Sequence, residues 1–77
     1  MSRIPIISSN QLISVLTPFG YAIIRQKGSH VRLKDTKDPS HLPVIVLLHN
    51  EIKPGLLKKI MEDAHLSVEK LIELLKE

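Results

Sequence analysis

Two residues, Gly28 and Ser29, separate two segments typical of β-strands, and this short connection constrains the fold more than any other feature. The flanking segments are 21–27 and 30–34. A glycine at the first central position favours a type II′ turn, because that position needs a positive φ. The connection therefore predicts an antiparallel hairpin with a fixed register.

The remaining segments predict one more strand and three helices. The almost wholly apolar segment 43–48 is typical of a strand that is central in a sheet or covered on one face. Ser8 has the capping-box spacing that begins a first helix, and proline and glycine end that helix near Thr17. Pro54 suits the first position of a second helix, and Ser67 caps a third. The order α-β-β-β-α-α predicts an α+β fold, a three-stranded antiparallel sheet with the helices on one face.

The length of the chain limits it to one domain with one core. Its 77 residues leave no room for a two-domain cofactor enzyme. The absence of cysteine excludes disulfide scaffolds and Cys-ligated zinc and fits a reducing compartment. No apolar run approaches the roughly 18–20 residues that span a bilayer, and the short apolar stretch near Pro5 is not a signal peptide. We therefore expect one cytoplasmic domain over residues 1–77, with no membrane partner.

Charge is distributed unevenly along the chain. The segment 1–34 carries five basic side chains and no acidic one, a balance of +5 with histidine neutral. The segment 35–77 carries six lysines and eight acidic residues, a balance of −2. A basic half without acids is typical of a protein that attracts a polyanion and releases counterions on binding it.

The hairpin register predicts which side chains share a face of the sheet. A two-residue turn places Lys27 opposite His30 and Arg25 opposite Arg32, all on the outer face. Facing arginines repel each other, and a phosphate bound between them would make the arrangement favourable. We therefore predict a polyanion site on the outer face, which also gains Lys34, with Tyr21 and Ile23 at its far end. The predicted inner face, under the helices, consists of Ala22, Ile24, Val31 and Leu33.

His30 is the side chain on this face that can carry acid–base chemistry. An imidazole titrates near neutral pH, so it can accept a proton from a ribose 2′-hydroxyl or donate one to a departing 5′-oxygen. Nearby cations can stabilise the charge that develops on a pentacoordinate phosphate. This combination is sufficient for metal-independent cleavage of RNA, with the 2′-hydroxyl as nucleophile. DNA lacks that hydroxyl, so it would be bound but not cut.

The other three histidines carry weaker signals. His49 ends the third strand, where it could act as a second acid or base or simply lie on the surface. His41 falls in the polar loop 35–43 and is expected to be solvated, and His65 follows the second helix, where a cation is mildly stabilising. The histidine spacing matches no compact set of zinc ligands, so neither a metal nor a cofactor is expected.

Several motifs together resemble the HicA toxin family, the small mRNA interferases of HicA–HicB toxin–antitoxin systems. The segment 25–30 reads Arg-Gln-Lys-Gly-Ser-His, and Phe-Gly-Tyr precedes it at 19–21. A strand segment ends in His49, and the segment 51–57 then reads Glu-Ile-Lys-Pro-Gly-Leu-Leu. The combination is fairly specific, and the resemblance extends over nearly the whole chain, from about residue 8 to residue 75.

The resemblance implies a fold similar to double-stranded-RNA-binding domains and an endoribonuclease that cleaves mRNA, with His30 as the catalytic residue. It also implies a HicB-type antitoxin that covers His30, and contact with operator DNA only through the toxin–antitoxin complex. The residues expected to bind RNA, from the outer face and from the motifs together, are Arg25, Lys27, Gly28, Ser29, Arg32 and Lys53.

Some positions depart from the family's pattern. Asn50 and His65 stand where members often have glycine, after the third-strand histidine and at the end of the second helix. Asparagine tolerates a left-handed backbone, whereas a histidine there costs about 1 kcal/mol. Thr17 and Pro18 interrupt the end of the first helix. None of these positions lies within 25–30, so they affect local geometry more than chemistry.

Two other functions are compatible with the same residues. The chain could be a non-catalytic RNA-binding module of the same fold, in which His30 only contacts phosphate or base. It could also be a protein-interaction domain whose basic face binds an acidic partner without turnover. Replacement of His30 by alanine distinguishes the enzyme, which would lose cleavage but keep binding, from the binding module.

Overall fold

The structure, a computed structural model, describes residues 4–76 and has the predicted element order α-β-β-β-α-α. The α+β class and the three-stranded antiparallel sheet are confirmed, and the order is consistent with a fold like that of double-stranded-RNA-binding domains. Arg3, one of the basic residues counted above, lies outside the described residues. The elements are α1 (Ser9–Phe19), β1 (Tyr21–Lys27), β2 (His30–Asp35), β3 (Val44–Leu47), α2 (Pro54–Asp63) and α3 (Val68–Leu75).

The hairpin has the predicted register near its turn. Gly28 has a φ of +58°, and its neighbour in the turn does not have a positive φ, as a type II′ turn requires. Lys27 is paired with His30, and Arg25 is paired with Arg32. These pairs confirm the register from which the outer face was predicted.

A β-bulge at Ile24 shifts the register in the first half of β1. Ile23 rather than Ile24 is opposite Leu33, so the prediction that Ala22 and Ile24 face the helices is wrong. Ile24 is 51% exposed, whereas Tyr21, predicted on the outer face, is only 2% exposed. The extra residue reverses which side chains point inward, and the aromatic ring rather than the isoleucine fills the core.

β2 is the central strand of the sheet, and β1 and β3 are its edges. The apolar segment that forms β3 therefore occupies an edge with one covered face rather than a central position. Val44 and Val46 are buried, whereas Ile45 between them is exposed. Alternation of buried and exposed side chains along an edge strand is expected where helices cover one face of the sheet and leave the other open.

The helices pack on the inner face of the sheet around one hydrophobic cluster. Within residues 4–76, no helix is long and apolar enough to cross a bilayer. The cluster joins α1, α2 and α3 to all three strands, with Tyr21 as the member from β1. Its fully buried members include Leu12, Leu16, Leu33, Val46, Leu57 and Leu71.

The ends of α1 are set by its caps. The Ser8 hydroxyl accepts a hydrogen bond from the Gln11 N–H at 3.1 Å, and the Ser8 N–H donates to the Gln11 side chain at 2.8 Å. The helix continues through Pro18 and ends two residues later than predicted. Gly20, with a φ of +126°, ends it instead of the proline, because a left-handed residue turns the chain out of the helix.

At one of the positions that depart from the family's pattern, the backbone is left-handed. His65, just after α2, has a φ of +54°, whereas Asn50 does not have a positive φ. The conformation costs a histidine about 1 kcal/mol relative to glycine. The ring packs edge-on against His41, with ring centroids 4.9 Å apart, and this contact offsets part of that cost.

Candidate functional site

One open face of the sheet carries the basic residues of the hairpin, and we call it the basic face. Arg32 is paired with Arg25 and Lys34 with Ala22, and paired residues of antiparallel strands point to the same side. Among residues 4–76, no ion pair neutralises a cation of this face. The basic face consists of Arg25, Lys27, His30, Arg32 and Lys34, all of them exposed.

His30 lies in the row nearest the turn, where it is opposite Lys27 on β1 and Leu47 on β3. It begins the central strand, so its backbone is held by β1 on one side and by β3 on the other. The Leu48 N–H donates to the Ser29 carbonyl at 2.9 Å, which extends the pairing of β2 with β3 by one residue. The imidazole therefore projects into solvent from a backbone that is paired with strands on both sides.

The two arginines form the next row of the same face, since Arg32 is opposite both Arg25 and Ile45. Residues two positions apart along a strand are about 6.6 Å apart, so a phosphate placed between the arginines would lie within reach of His30. The arrangement combines an imidazole with several cations on an open surface. Such a surface suits an extended polyanion better than a small molecule, which needs an enclosed pocket.

Ser9 holds His49 by its backbone, a contact that sequence reasoning did not find. The Ser9 N–H and hydroxyl both lie 3.0 Å from the His49 carbonyl oxygen, and the His49 N–H donates to the Ser9 hydroxyl at 3.0 Å. Ser9 is 3% exposed, whereas the His49 side chain is exposed. The contact spans 40 positions in the sequence, so no local pattern predicts it.

Lys53 is the one predicted RNA-binding residue outside the hairpin. It precedes the first residue of α2 and lines a surface cavity with Leu47, His49 and Leu56. Leu47, which shares this cavity with Lys53, is the β3 partner of His30. Gly28 and Ser29 form the turn itself, beside Lys27 and His30.

His41 does not lie in solvent, and the prediction that it does is wrong. Its side chain is 14% exposed, Nδ1 lies 2.7 Å from Oδ2 of Asp35, and Nε2 lies 3.3 Å from Oδ2 of Asp38. The ring stacks on Phe19, with centroids 5.5 Å apart. Asp35 ends β2 on the inner face, where it is buried. A buried carboxylate is stable only when it is hydrogen-bonded, and the contact with Asp35 keeps His41 out of solvent.

Asp35, His41 and Tyr21 form a polar cluster at the far end of the hairpin. Burial and hydrogen bonding set the charges of this second cluster. Burial alone would raise the pKa of Asp35, but hydrogen bonds from two backbone N–H groups and from His41 outweigh it, and the pKa lies below the usual 3.8. Burial, with the nearby carboxylates of Asp35, Asp63 and Asp38, raises the pKa of Tyr21 to about 12. The Tyr21 hydroxyl donates to the Leu42 carbonyl at 2.7 Å. The cluster holds the far end of the hairpin to the following loop and carries no group of the basic face.

Comparison with known proteins gives one match. The family model described as "HicA toxin of bacterial toxin-antitoxin" matches residues 9–66, most of the 77-residue chain. No curated protein and no solved structure matches the chain significantly. The matched range includes all of the basic face, His49 and Lys53.

Proposed function

The chain belongs to the HicA toxin family, and from this premise we propose that it is an endoribonuclease toxin that cleaves mRNA with His30 as its catalytic base. The observation that carries the proposal is the position of His30 on the basic face. It is the one imidazole on a surface that otherwise presents Arg25, Lys27, Arg32 and Lys34 to solvent.

Cleavage uses the ribose as nucleophile. Neutral His30 accepts the proton of the 2′-hydroxyl, and the 2′-oxygen forms a bond to the adjacent phosphorus. The bond from phosphorus to the 5′-oxygen breaks, and this oxygen leaves as a hydroxyl with a proton taken from solvent, while His30 later releases to solvent the proton that it accepted. The products are a 2′,3′-cyclic phosphate and a 5′-hydroxyl, so no water molecule is consumed in this step, and we propose that the step needs no metal ion.

The arginines bind the phosphate and stabilise the transition state. Arg25 and Arg32 are paired across the hairpin, so their guanidinium groups can share the oxygens of one phosphate. Negative charge on those oxygens increases as the fifth bond to phosphorus forms, and fixed cations stabilise it more than they stabilise the ground state. Lys27, Gly28, Ser29 and Lys53 are proposed to hold the strand on either side.

The exposure of the site supports the proposal that an antitoxin inhibits the chain by covering it. His30 lies on a flat, open surface that no segment of residues 4–76 covers. A HicB-type antitoxin that covers the basic face would exclude RNA directly. Contact with operator DNA is proposed to occur through the complex of the two proteins.

The test compares the wild-type chain with His30→Ala, each purified without an antitoxin. A long single-stranded RNA is incubated with each protein at neutral pH in EDTA, and binding is measured separately by gel shift. We expect cleavage by the wild type, loss of at least about 100-fold in the variant, and retained binding by both. Intact RNA with both proteins would contradict the nuclease and favour an RNA-binding module. Equal cleavage by both would show that His30 is not the catalytic base, and His49 would be the next residue to test.

A further inference from the structure

Beside the basic face, the outer side of the sheet carries two apolar side chains of β3. Leu47 is paired with His30 and Ile45 with Arg32, so both point to the same side as the basic face. Ile45 is 51% exposed and Leu47 is half-buried. We call these two side chains the apolar column. The outer side of the sheet therefore has cations on β1 and β2 and aliphatic groups on β3.

The charges next to the apolar column cancel one another. Glu51 and Lys53 both line the cavity beside Leu47. Lys59 and Asp63 both line the cavity at the other end of the column, and their side chains are paired at 3.3 Å. The cations of the basic face have no such partner among the ion pairs within residues 4–76. A ligand that covers both parts must therefore place negative charge over β1 and β2 and an uncharged, apolar group over β3.

This division recurs in two successive rows across the sheet, each with a cation on β1 and an aliphatic side chain on β3. One row contains Lys27, His30 and Leu47, and the next contains Arg25, Arg32 and Ile45. A nucleic acid strand repeats one phosphate and one base in every nucleotide, whereas the surface of a folded protein has no such repeat. The recurrence therefore favours a nucleic acid strand over a protein as the ligand of both parts.

We propose that the apolar column contacts the bases of an RNA strand whose phosphates lie on the basic face, and that it selects unpaired RNA over duplex. The choice of RNA rests on the proposed function. An unpaired base exposes an apolar face, and aliphatic side chains that cover this face remove apolar surface from water. In a duplex, each base is stacked and paired, so its faces are already covered. A duplex therefore offers phosphates to the arginines and nothing to Ile45 or Leu47.

The same arrangement would position the nucleotide for cleavage. A nucleotide with its phosphate between the arginines and its base on β3 has its ribose over β2, the strand that carries His30. Cleavage requires the 2′-oxygen, the phosphorus and the 5′-oxygen to be aligned, and holding a nucleotide at both ends favours such an alignment. Ile45 is therefore a positioning residue for the base and takes no part in proton transfer.

The test measures binding with oligonucleotides that cannot be cleaved, because every 2′-hydroxyl is methylated. A single strand, a strand of the same length without bases, and the duplex of the first are each titrated with the full-length chain. Fluorescence anisotropy at physiological ionic strength keeps nonspecific phosphate binding weak. We expect the single strand to bind at least about tenfold more tightly than the base-free strand and the duplex.

Variants of Ile45 test the contact in both directions. Ile45→Ser should reduce the preference for the single strand about tenfold, whereas Ile45→Phe should increase it, because an aromatic ring stacks on a base. A gain of this kind cannot result from a damaged fold. The matched control is Ile23→Ser, since Ile23 is 53% exposed in a strand but is opposite the buried Leu33, on the other side of the sheet. This change should leave all three affinities unaltered.

Several results would overturn the proposal. Equal binding of the single strand and the base-free strand would show that no base lies on the apolar column, and a protein partner would then be its ligand. Tighter binding of the duplex, or equal effects of Ile45→Ser and Ile23→Ser, would also contradict it. Cleavage is measured separately with unmodified RNA. The expected preference without cleavage would contradict the nuclease alone, and cleavage without the preference would contradict this proposal alone.

Discussion

Arg25 and Arg32 face each other across the hairpin, although like charges in directly opposed positions destabilise a sheet. Both side chains are exposed, so the repulsion is partly screened by solvent. Such an arrangement reduces folding stability slightly and increases the affinity for an anion that lies between the two groups. A residue that serves RNA binding in this way should be dispensable for folding.

Arg25→Gln should therefore have different effects on RNA binding and on folding stability. RNA affinity should fall about tenfold, the value of one charge-assisted contact, and its dependence on salt should weaken. The free energy of unfolding should stay the same or rise by about 0.2–1 kcal/mol, because the repulsion is removed. Filter binding at several salt concentrations and denaturant unfolding measure the two quantities. Lys58→Gln, an exposed lysine of α2, is the control, and an equal loss of affinity there would contradict a localised site.

Tyr21 is the only tyrosine of the chain, so its ionisation can be followed by absorbance without interference. Its pKa is raised to about 12 in the fold, against about 10 for an unfolded chain. The neutral phenol is therefore favoured in the folded state, and its contribution to stability is complete below about pH 10 and is lost as the pH rises to about 12. We expect the titration midpoint to move from about 12 in the native chain to about 10 in urea. A native midpoint near 10 would show that the ring is not buried.

At the scale of the elements, Gly20 connects α1 to β1 in a conformation that other residues rarely adopt. Its φ is +126°, and a Cβ there would lie 2.9 Å from the buried carboxylate of Asp35. Its carbonyl accepts hydrogen bonds from the Thr36 N–H at 3.0 Å and from the Thr36 hydroxyl at 3.2 Å. The helix end, the start of the hairpin and the end of β2 therefore meet at this glycine.

Gly20→Ala should lower the free energy of unfolding by about 1–3 kcal/mol, through backbone strain and the clash with Asp35. Gly55→Ala is the matched control, because Gly55 lies in α2 with open space around its Cβ position. An alanine in that helix should raise the free energy of unfolding by about 0.5–1 kcal/mol. Denaturant unfolding measures both. Equal effects of the two changes would contradict the strained position of Gly20.

The elements also show what the sequence could and could not predict. The two-residue turn determined the pairing from Lys27 to Arg25, because a short turn leaves one register. The bulge at Ile24 leaves no such local signal, since the segment Tyr21–Lys27 alternates equally well in either register. Burial of the larger Tyr21 ring against the helices favours the bulged register, and this energy arises only in the assembled fold.

At the scale of the whole molecule, two regions at opposite ends of the hairpin have separate roles. The turn end carries His30 and the exposed cations, and the other end carries the cluster of Asp35, His41 and Tyr21. The sequence predicted the first region because its residues are close in the chain. It did not predict the second, because the need of Asp35 for partners follows from burial that long-range packing produces.

Asp35 should account for part of the acid sensitivity of the fold. Its pKa is lowered in the folded state, so its contribution to stability is present above about pH 4 and is lost as the pH falls through the folded pKa. Asp35→Asn should cost about 1–3 kcal/mol of unfolding free energy at pH 7, and the difference from wild type should shrink below about pH 4. Unfolding measured across this pH range tests whether the contribution of Asp35 to the free energy of unfolding decreases as the pH falls.

The control for that series is Asp63→Asn, which removes a pair with Lys59 at 3.3 Å between partly exposed side chains. A pair of this kind contributes about 0.2–1 kcal/mol. If both variants lost the same free energy at pH 7, the account of Asp35 as a buried anchor of the loop would be wrong.

The central claim is that His30 activates the ribose 2′-hydroxyl of an RNA held on the basic face. The most direct measurement is mass analysis of the cleaved ends, with a matched RNA that carries a single 2′-deoxy nucleotide at the cleavage position. The account predicts a 2′,3′-cyclic phosphate on one fragment, a 5′-hydroxyl on the other, and no cleavage at the deoxy position. A 3′-hydroxyl with a 5′-phosphate, or unchanged cleavage of the deoxy substrate, would contradict it, because the nucleophile would then be water rather than the ribose.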